Sequence, residues 1–117
     1  MIVLGIETSC DETSAAVIED GLLKSNVVLS QEIHREYGGV VPEIASREHE
    51  VQLTSIIEMA IERASISKLN LDAIAVTYGA GLMGALLVGL NLAKGLAIGL
   101  DIPFLGVNHM EGHLFAN

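Results

Sequence analysis

The sequence predicts one α/β domain, a mixed five-stranded sheet with flanking helices. Two observations predict it: three short apolar runs separated by turn residues open the chain, and two strand-and-helix units follow them. A chain of 117 residues buries about two-thirds of the surface that its unfolded form exposes, which is enough for one core. Half of the residues are hydrophobic and only 3% are aromatic, so Ile, Leu, Val, Ala and Gly must build that core.

Three antiparallel strands are predicted at the start of the chain. Residues 2–6 form an apolar run with β-branched members, and a polar cluster follows it. Residues 15–19 and 22–29 are two further apolar segments, joined by Asp20-Gly21. This dipeptide supplies the positive backbone angles of a two-residue hairpin turn, so the segments should form a meander.

Two helices alternate with two more strands in the rest of the chain. Residues 42–64 begin with a proline and carry apolar residues at helical spacing, which predicts an amphipathic helix. Strand 71–78, helix 83–100 and strand 103–107 then imply a right-handed parallel crossover. This order is that of a ribonuclease H-like fold, which is also the lobe of the actin-like ATPase (ASKHA) superfamily, and no boundary is predicted inside the chain.

Composition excludes several classes of function. Six basic residues face fifteen acidic ones, for a net charge of −9, and the basic residues are scattered, so no footprint for a phosphate backbone is present. The chain has no tryptophan and only four other aromatic residues, which excludes a stacking platform for single-stranded nucleic acid. One cysteine cannot form an internal disulfide, and the first residues do not resemble a signal peptide, so a cytoplasmic location is expected.

The segment 79–100 is long and apolar enough to suggest a membrane span. Asn91 and Lys94 lie within it, five glycines from Gly81 to Gly99 lower its hydrophobicity, and Asp101 with Pro103 ends it. We therefore expect a buried helix of a protein that does not span a membrane.

Two histidines four residues apart, His109 and His113, directly follow the fifth predicted strand. On a helix they share a face and could hold one metal ion, although two exposed histidines could equally share this spacing by chance. In zinc peptidases the glutamate directly follows the first histidine. Here Glu111 is two positions after His109 and so points about 200° around the helix from it. This spacing disfavours peptidase chemistry.

The glycines in segment 79–84 match a dinucleotide-binding pattern only weakly, because no acidic residue ends the next strand. A purely structural role for these glycines is the stronger interpretation. Small residues recur every four positions in the following helix and would let another helix approach closely, within the domain or across an interface. They are Gly81, Ala85, Gly89, Ala93 and Ala97.

The polar loop 8–14 between the first two strands has two readings. Its hydroxyls and backbone amides could hold phosphate and its carboxylates could hold Mg²⁺ or orient a reacting group, or it could be an ordinary hairpin loop. Cys10 lies beside two acids that should raise its thiol pKa, so we do not expect a nucleophile. His34 and His49 have no partner at ligand spacing and should lie on the surface or in helix packing.

Four blocks of the sequence, in order, resemble the TsaD family, once named for an O-sialoglycoprotein endopeptidase. They are residues 5–13 (GIETSCDET), 37–47 (YGGVVPEIASR), 84–89 (GALLVG) and 109–113 (HMEGH). The family makes threonylcarbamoyladenosine at position 37 of tRNAs that read codons beginning with A. Its members are two-lobed ASKHA proteins about three times as long, so residues 1–117 resemble the N-terminal lobe only.

The resemblance implies roles for specific residues. His109 and His113 would be two ligands of a divalent iron or zinc ion, and Asp11 and Glu12 would be the acids at the reaction centre. Thr8 and Ser9 would lie on the phosphate side of the nucleotide. The third metal ligand and most contacts to ATP or the threonylcarbamoyl-adenylate would belong to the other lobe, and TsaB-like and TsaE-like proteins would be partners.

Two alternatives remain beside the transferase. A non-catalytic, dimerising scaffold similar to TsaB would share the fold but should lack the two histidines, and a metallopeptidase would need Glu111 near the metal. Because helix 83–100 is apolar nearly all round, we also expect the isolated chain to form a homodimer through Ala85, Gly89, Ala93 and Ala97.

Overall fold

The computed structural model describes residues 1–116, and its elements follow the predicted order. The strands are β1 (Ile2–Glu7), β2 (Glu12–Glu19), β3 (Leu22–Ser30), β4 (Ala73–Gly79) and β5 (Phe104–Asn108). The helices are α1 (Pro42–Arg63), α2 (Met83–Leu100) and α3 (His109–Phe115). Two short 3₁₀ helices, Glu32–Tyr37 and Lys68–Asn70, were not predicted, because segments this short do not show a periodicity in the sequence.

The five strands form one mixed sheet in the order β3-β2-β1-β4-β5. Strands β1, β2 and β3 are antiparallel neighbours, whereas β1, β4 and β5 are parallel. The hairpin between β2 and β3 turns at Asp20 and Gly21, whose φ angles are 49° and 82°. The predicted fold class and turn are confirmed.

One face of the sheet carries the core. Helix α1 packs over β2 and β3, and α2 packs over β4 and β1. Alternate residues of the strands point into this layer, and the apolar side of α1 closes it as predicted. Its buried members include Leu4, Ile6, Val17, Leu53, Ile56, Ala60, Ile74 and Val76. On the opposite face Ile18, Val28 and Leu105 are exposed, because neither α1 nor α2 covers it.

The stripe of small residues on α2 faces the chain's own core. Ala85, Ala93 and Ala97 are buried, and a Cβ added to Gly89 would lie 2.5 Å from Oγ1 of Thr8. The prediction that these residues form a homodimer contact is therefore wrong, since the surface is already used inside the domain. Their small size is needed because α2 lies close to the sheet.

The other side of α2 remains apolar and exposed, with Met83 and Ile98 the most accessible. By length and composition α2 is one helix that could cross a membrane. Packing against β1 and β4 buries one side of α2, so the prediction of a buried helix is confirmed for that side only.

Candidate functional site

Three parallel strands end at one edge of the sheet, and each brings a polar side chain there. Glu7 is the last residue of β1, Thr77 lies near the end of β4, and His109 directly follows β5. Open α/β sheets bind their ligands at the carboxyl ends of such strands. A pocket of about 600 Å³ opens at this edge.

The carboxylate of Glu7 and the two histidines form a connected row. Nδ1 of His109 lies 3.0 Å from Oε2 of Glu7, and Nε2 of His113 lies 2.9 Å from Nε2 of His109. Because an ionised carboxylate can only accept hydrogen bonds, Nδ1 of His109 carries the proton. The other ring nitrogen of His109, Nε2, faces Nε2 of His113.

This arrangement fits a divalent metal ion. A histidine that binds metal through one ring nitrogen usually donates from the other to a carboxylate or carbonyl, as His109 does to Glu7. Helix α3 places the two histidines on one side, as their spacing predicted. Among residues 1–116 no group of three or more candidate ligands converges, so the pair would be part of a larger ligand set.

Glu7 remains ionised at this edge. Burial raises the pKa of its carboxyl, but hydrogen bonds from Ser9, Thr77 and His109 outweigh that effect, and the net pKa is lowered. Oε1 accepts from the backbone N–H of Ser9 at 2.5 Å, and Oε2 accepts from the hydroxyl of Thr77 at 2.7 Å. Sequence reasoning missed Glu7, although its place at the end of a parallel strand was a usable signal.

The two predicted catalytic acids line the same pocket as the histidines. Asp11 is partly buried in the loop, and Glu12 is exposed as the first residue of β2. Cys10 lies beside them, and burial together with Asp11 raises the pKa of its thiol, as predicted. The roles of Asp11 and Glu12 in catalysis stay predictions, but the fold brings both acids to the pocket that His109 and His113 also line.

Thr8 and Ser9 occupy different environments. Thr8 is buried, and its hydroxyl donates to the carbonyl of Ala85 at 2.7 Å, which ties the loop to α2. Oγ of Ser9 lies 3.1 Å from Nδ1 of His109 and lines the pocket. A contact of either residue with phosphate stays a prediction, and in this structure the Thr8 hydroxyl is directed away from the pocket.

The backbone of the loop is held by three separate elements. The carbonyl of Ser9 accepts from the N–H of Leu82, just before α2, at 2.7 Å. The carbonyl of Cys10 accepts from Nε2 of His49 in α1 at 2.8 Å. The carbonyl of Asp11 accepts from the N–H of Gln31 at 2.9 Å. Three successive peptide groups are thus fixed around the predicted catalytic acid.

His49 and His34 belong to a buried polar network behind this loop. Gln31 joins them: its Oε1 accepts from Nε2 of His34 at 2.7 Å, and its Nε2 lies 3.4 Å from Nδ1 of His49. Both histidines are buried, so the surface alternative is wrong and the packing alternative holds for His49 on α1. The sequence did not reveal the network, because its members are far apart along the chain.

Two other predicted features have structural explanations. A Cβ at Gly81 would lie 2.5 Å from the carbonyl oxygen of Ser9, so this glycine allows the close approach that the structural reading requires. Glu111 is exposed, and within residues 1–116 it does not line the pocket that contains His109 and His113. This geometry agrees with the argument against a peptidase.

Comparison with known sequences identifies the family. Residues 22–117 match the family described as TsaD, tRNA N6-adenosine threonylcarbamoyltransferase. The chain belongs to the TsaD family. TsaD relatives that bear the name tRNA N6-adenosine threonylcarbamoyltransferase include proteins of Geobacillus thermodenitrificans, 62% identical over 98% of this chain, and Chlorobium chlorochromatii, 58% identical over 99%. The chain spans about a third of their length, 34% and 33%.

Solved structures support the fold. YeaZ from Pseudomonas aeruginosa has a TM-score of 0.72 and 20% identity, with 92% of this chain and 45% of that chain covered. RuvC of T. thermophilus, solved with a Holliday junction substrate, has a TM-score of 0.57 and 16% identity, with 99% and 72% covered. At these identities the likeness shows the fold alone, and it agrees with a ribonuclease H-like, ASKHA-type lobe in this TsaD chain.

Proposed function

We propose that this chain is the N-terminal lobe of a two-lobed tRNA N6-adenosine threonylcarbamoyltransferase. The whole enzyme would transfer threonylcarbamoyl from threonylcarbamoyl-adenylate to the exocyclic amine of adenosine 37 in tRNAs that read codons beginning with A. The single observation that carries the proposal is the pocket in which Asp11 and Glu12 lie together with His109 and His113, in a chain of this family.

The transfer requires a base. The N6 amine attacks the carbamoyl carbon, a C–N bond forms, and the C–O bond to the phosphate breaks with AMP leaving with the bonding electrons. The attacking amine must also lose a proton, and we assign its acceptance to the carboxylate of Asp11. Glu12 is the second acid at the centre. A positioned general base contributes about 10²–10⁴ in rate.

The histidine pair would bind the metal through its two Nε2 atoms. When bound, a divalent iron or zinc ion would supply a Lewis acid for charge on the carbonyl or phosphate oxygens. Glu7 would hold the proton of His109 at Nδ1, so that Nε2 stays free as a ligand. A third ligand would come from the second lobe.

Substrate and partner contacts would lie mostly outside this chain. Its net charge of −9 disfavours contact with a phosphate backbone, so tRNA would be held by the second lobe or by partner proteins. ATP or the adenylate would bind mainly through the second lobe. TsaB-like and TsaE-like proteins would be partners in the cytoplasm, and the fold shared with YeaZ, which is TsaB-like, supports a partner of the first kind. Self-association of the isolated chain would use an apolar surface that the fold leaves exposed, such as the outer side of α2.

Substitution of Asp11 tests the proposal in the two-lobed enzyme. Asp11→Asn should lower the rate of adenosine modification about a hundredfold or more while circular dichroism stays unchanged. Glu36→Gln removes an equivalent charge from an exposed position and should keep the wild-type rate. Wild-type turnover in Asp11→Asn would show that loop 8–14 is an ordinary hairpin loop without a catalytic role.

A non-catalytic scaffold is the weaker alternative. Its support is the fold shared with YeaZ, at 20% identity, whereas named transferases are about three times as similar in sequence. The histidine pair supported by Glu7 also has no purpose in a scaffold. Loss of activity in Asp11→Asn would exclude the scaffold.

A further inference from the structure

The peptide groups on both sides of Asp11 are fixed by hydrogen bonds from other elements. Preceding Asp11, the carbonyl of Cys10 accepts from Nε2 of His49 at 2.8 Å. Following it, the carbonyl of Asp11 itself accepts from the N–H of Gln31 at 2.9 Å. A residue has only two soft backbone dihedrals, so fixing both flanking peptide planes fixes the direction in which its side chain leaves the backbone.

His49 is itself held in one orientation. A carbonyl oxygen can only accept, so Nε2 of His49 carries the proton and Nδ1 is an acceptor. Nδ1 accepts from the hydroxyl of Thr13 at 2.7 Å, and the side-chain amide of Gln31 lies 3.4 Å away. The side chain is fully buried, so rotation of the ring would leave these groups without partners and without water.

Gln31 is held from its far side as well. Its Oε1 accepts from Nε2 of His34, and its Nε2 donates to the carbonyl of Ala45 at 3.2 Å. His34 in turn accepts at Nδ1 from the N–H of Val41 at 3.1 Å. Gln31 is thus anchored, directly and through His34, to the start of α1, the helix that carries His49.

We propose that His49 is a positioning residue that fixes the backbone at Asp11 and thereby directs its carboxylate into the pocket. The inference rests on the proposed function, because it concerns the placement of the proposed base. A residue that merely filled the core would be apolar, since burying an imidazole costs free energy unless each nitrogen has a partner. Here one nitrogen bonds to an irregular loop rather than to a strand or helix.

The first test compares two substitutions at His49 in the two-lobed enzyme. His49→Leu removes the donor to Cys10, whereas the amide of His49→Gln reaches about as far as Nε2 and can still donate. We expect kcat for adenosine modification to fall about 10–100-fold in His49→Leu with KM unchanged, and to stay within about threefold of wild type in His49→Gln. Should His49→Leu fail to fold, the shorter His49→Asn takes its place, with the same expected loss.

A matched control separates positioning from stability. Leu53 lies one turn further along α1 and is equally buried, but it packs in the apolar core. Leu53→Ala should destabilise the protein and leave kcat unchanged at temperatures where the enzyme is folded. An equal loss of kcat in Leu53→Ala and His49→Leu would overturn the inference.

The second test is a double-mutant cycle. If His49 acts through Asp11, adding His49→Leu to Asp11→Asn should lower kcat no further. If the losses of kcat in the two single variants multiply in the double variant, or if His49→Leu has a wild-type kcat, the inference is overturned and the proposed function still stands. A wild-type rate in Asp11→Asn would instead overturn the assigned role of Asp11, on which both depend.

Discussion

Nδ1 of His109 and Oε2 of Glu7 lie 3.0 Å apart, although the two residues are separated by 102 positions in the chain. The parallel pairing of β1 with β4 and of β4 with β5 brings them together, since each residue stands where its strand ends. Strand β4 lies between β1 and β5, and the hydroxyl of its Thr77 donates to the same carboxylate oxygen. The sheet therefore builds a carboxylate–histidine pair without any local sequence motif.

This pair predicts a measurable effect on metal affinity. In the two-lobed enzyme, Glu7→Gln should weaken binding of the divalent ion about 10–100-fold, because a neutral amide supports the imidazole less well than a carboxylate. Competition titration against a chromogenic chelator measures the affinity. Glu111→Gln, on the exposed side of the short helix that follows β5, should leave it unchanged. Equal affinities for wild type and Glu7→Gln would contradict the prediction.

Removal of the histidines should abolish metal binding altogether. A variant of the two-lobed enzyme with both His109→Ala and His113→Ala would lose both ring-nitrogen ligands, and its metal content after dialysis should fall to background. Elemental analysis gives the content per protein chain. Wild-type content in the double variant would show that the ion binds elsewhere.

The buried His49 predicts a pH dependence of stability. Burial lowers the pKa of its imidazole, and nearby acids and the carbonyl of Cys10 only partly offset this. In the unfolded chain His49 takes up a proton near pH 6.5, whereas in the folded chain it does so only at lower pH. The unfolded state then binds more protons, so the contribution of His49 to stability is complete above about pH 7 and is lost as the pH falls.

Urea unfolding of the 117-residue chain between pH 7.5 and 5.5 measures this effect. The free energy of unfolding should fall with a slope of at most about 1.4 kcal/mol per pH unit for one proton. His49→Gln cannot titrate, and its slope should be smaller by that amount. Parallel curves for the two proteins would show that His49 carries its charge equally well in both states.

Two glycines of α2 should respond oppositely to alanine. A Cβ at Gly89 would meet Oγ1 of Thr8 at 2.5 Å, so Gly89→Ala should destabilise the chain by about 1–3 kcal/mol. A Cβ at Gly95 meets nothing within 4 Å, so Gly95→Ala should stabilise it by up to about 1 kcal/mol through helix propensity. Urea unfolding compares both with wild type. Destabilisation by Gly95→Ala, or a neutral Gly89→Ala, would contradict this packing.

The sequence predicted the parts of the fold that depend on local patterns. Short apolar runs bounded by turn residues located the strands, Asp20-Gly21 located the hairpin, and helical periodicity located α1. The spacing of His109 and His113 placed both on one side of a helix. Each of these features is encoded within a few consecutive residues, so no tertiary information was needed.

Features that depend on tertiary contacts were missed or misread. A stripe of small residues indicates a close approach but does not say which neighbour approaches, and Thr8, in the loop after β1, proved to be that neighbour for Gly89. Glu7 became part of the site only through strand pairing. The partners of His49 lie in β2, in the segment after β3 and in the loop at Cys10, and no spacing rule connects such distant positions.

The three carbonyls held at Ser9, Cys10 and Asp11 also have a consequence for the order of folding. Their donors are Leu82 just before α2, His49 in α1 and Gln31 just after β3, so the loop acquires its shape only after all three elements have docked. We expect these contacts between residues distant in sequence to form late in folding, after the sheet and helices have closed the long loops. Substitutions at His49 should therefore accelerate unfolding and leave the refolding rate almost unchanged, which is the behaviour of positions unstructured in the transition state.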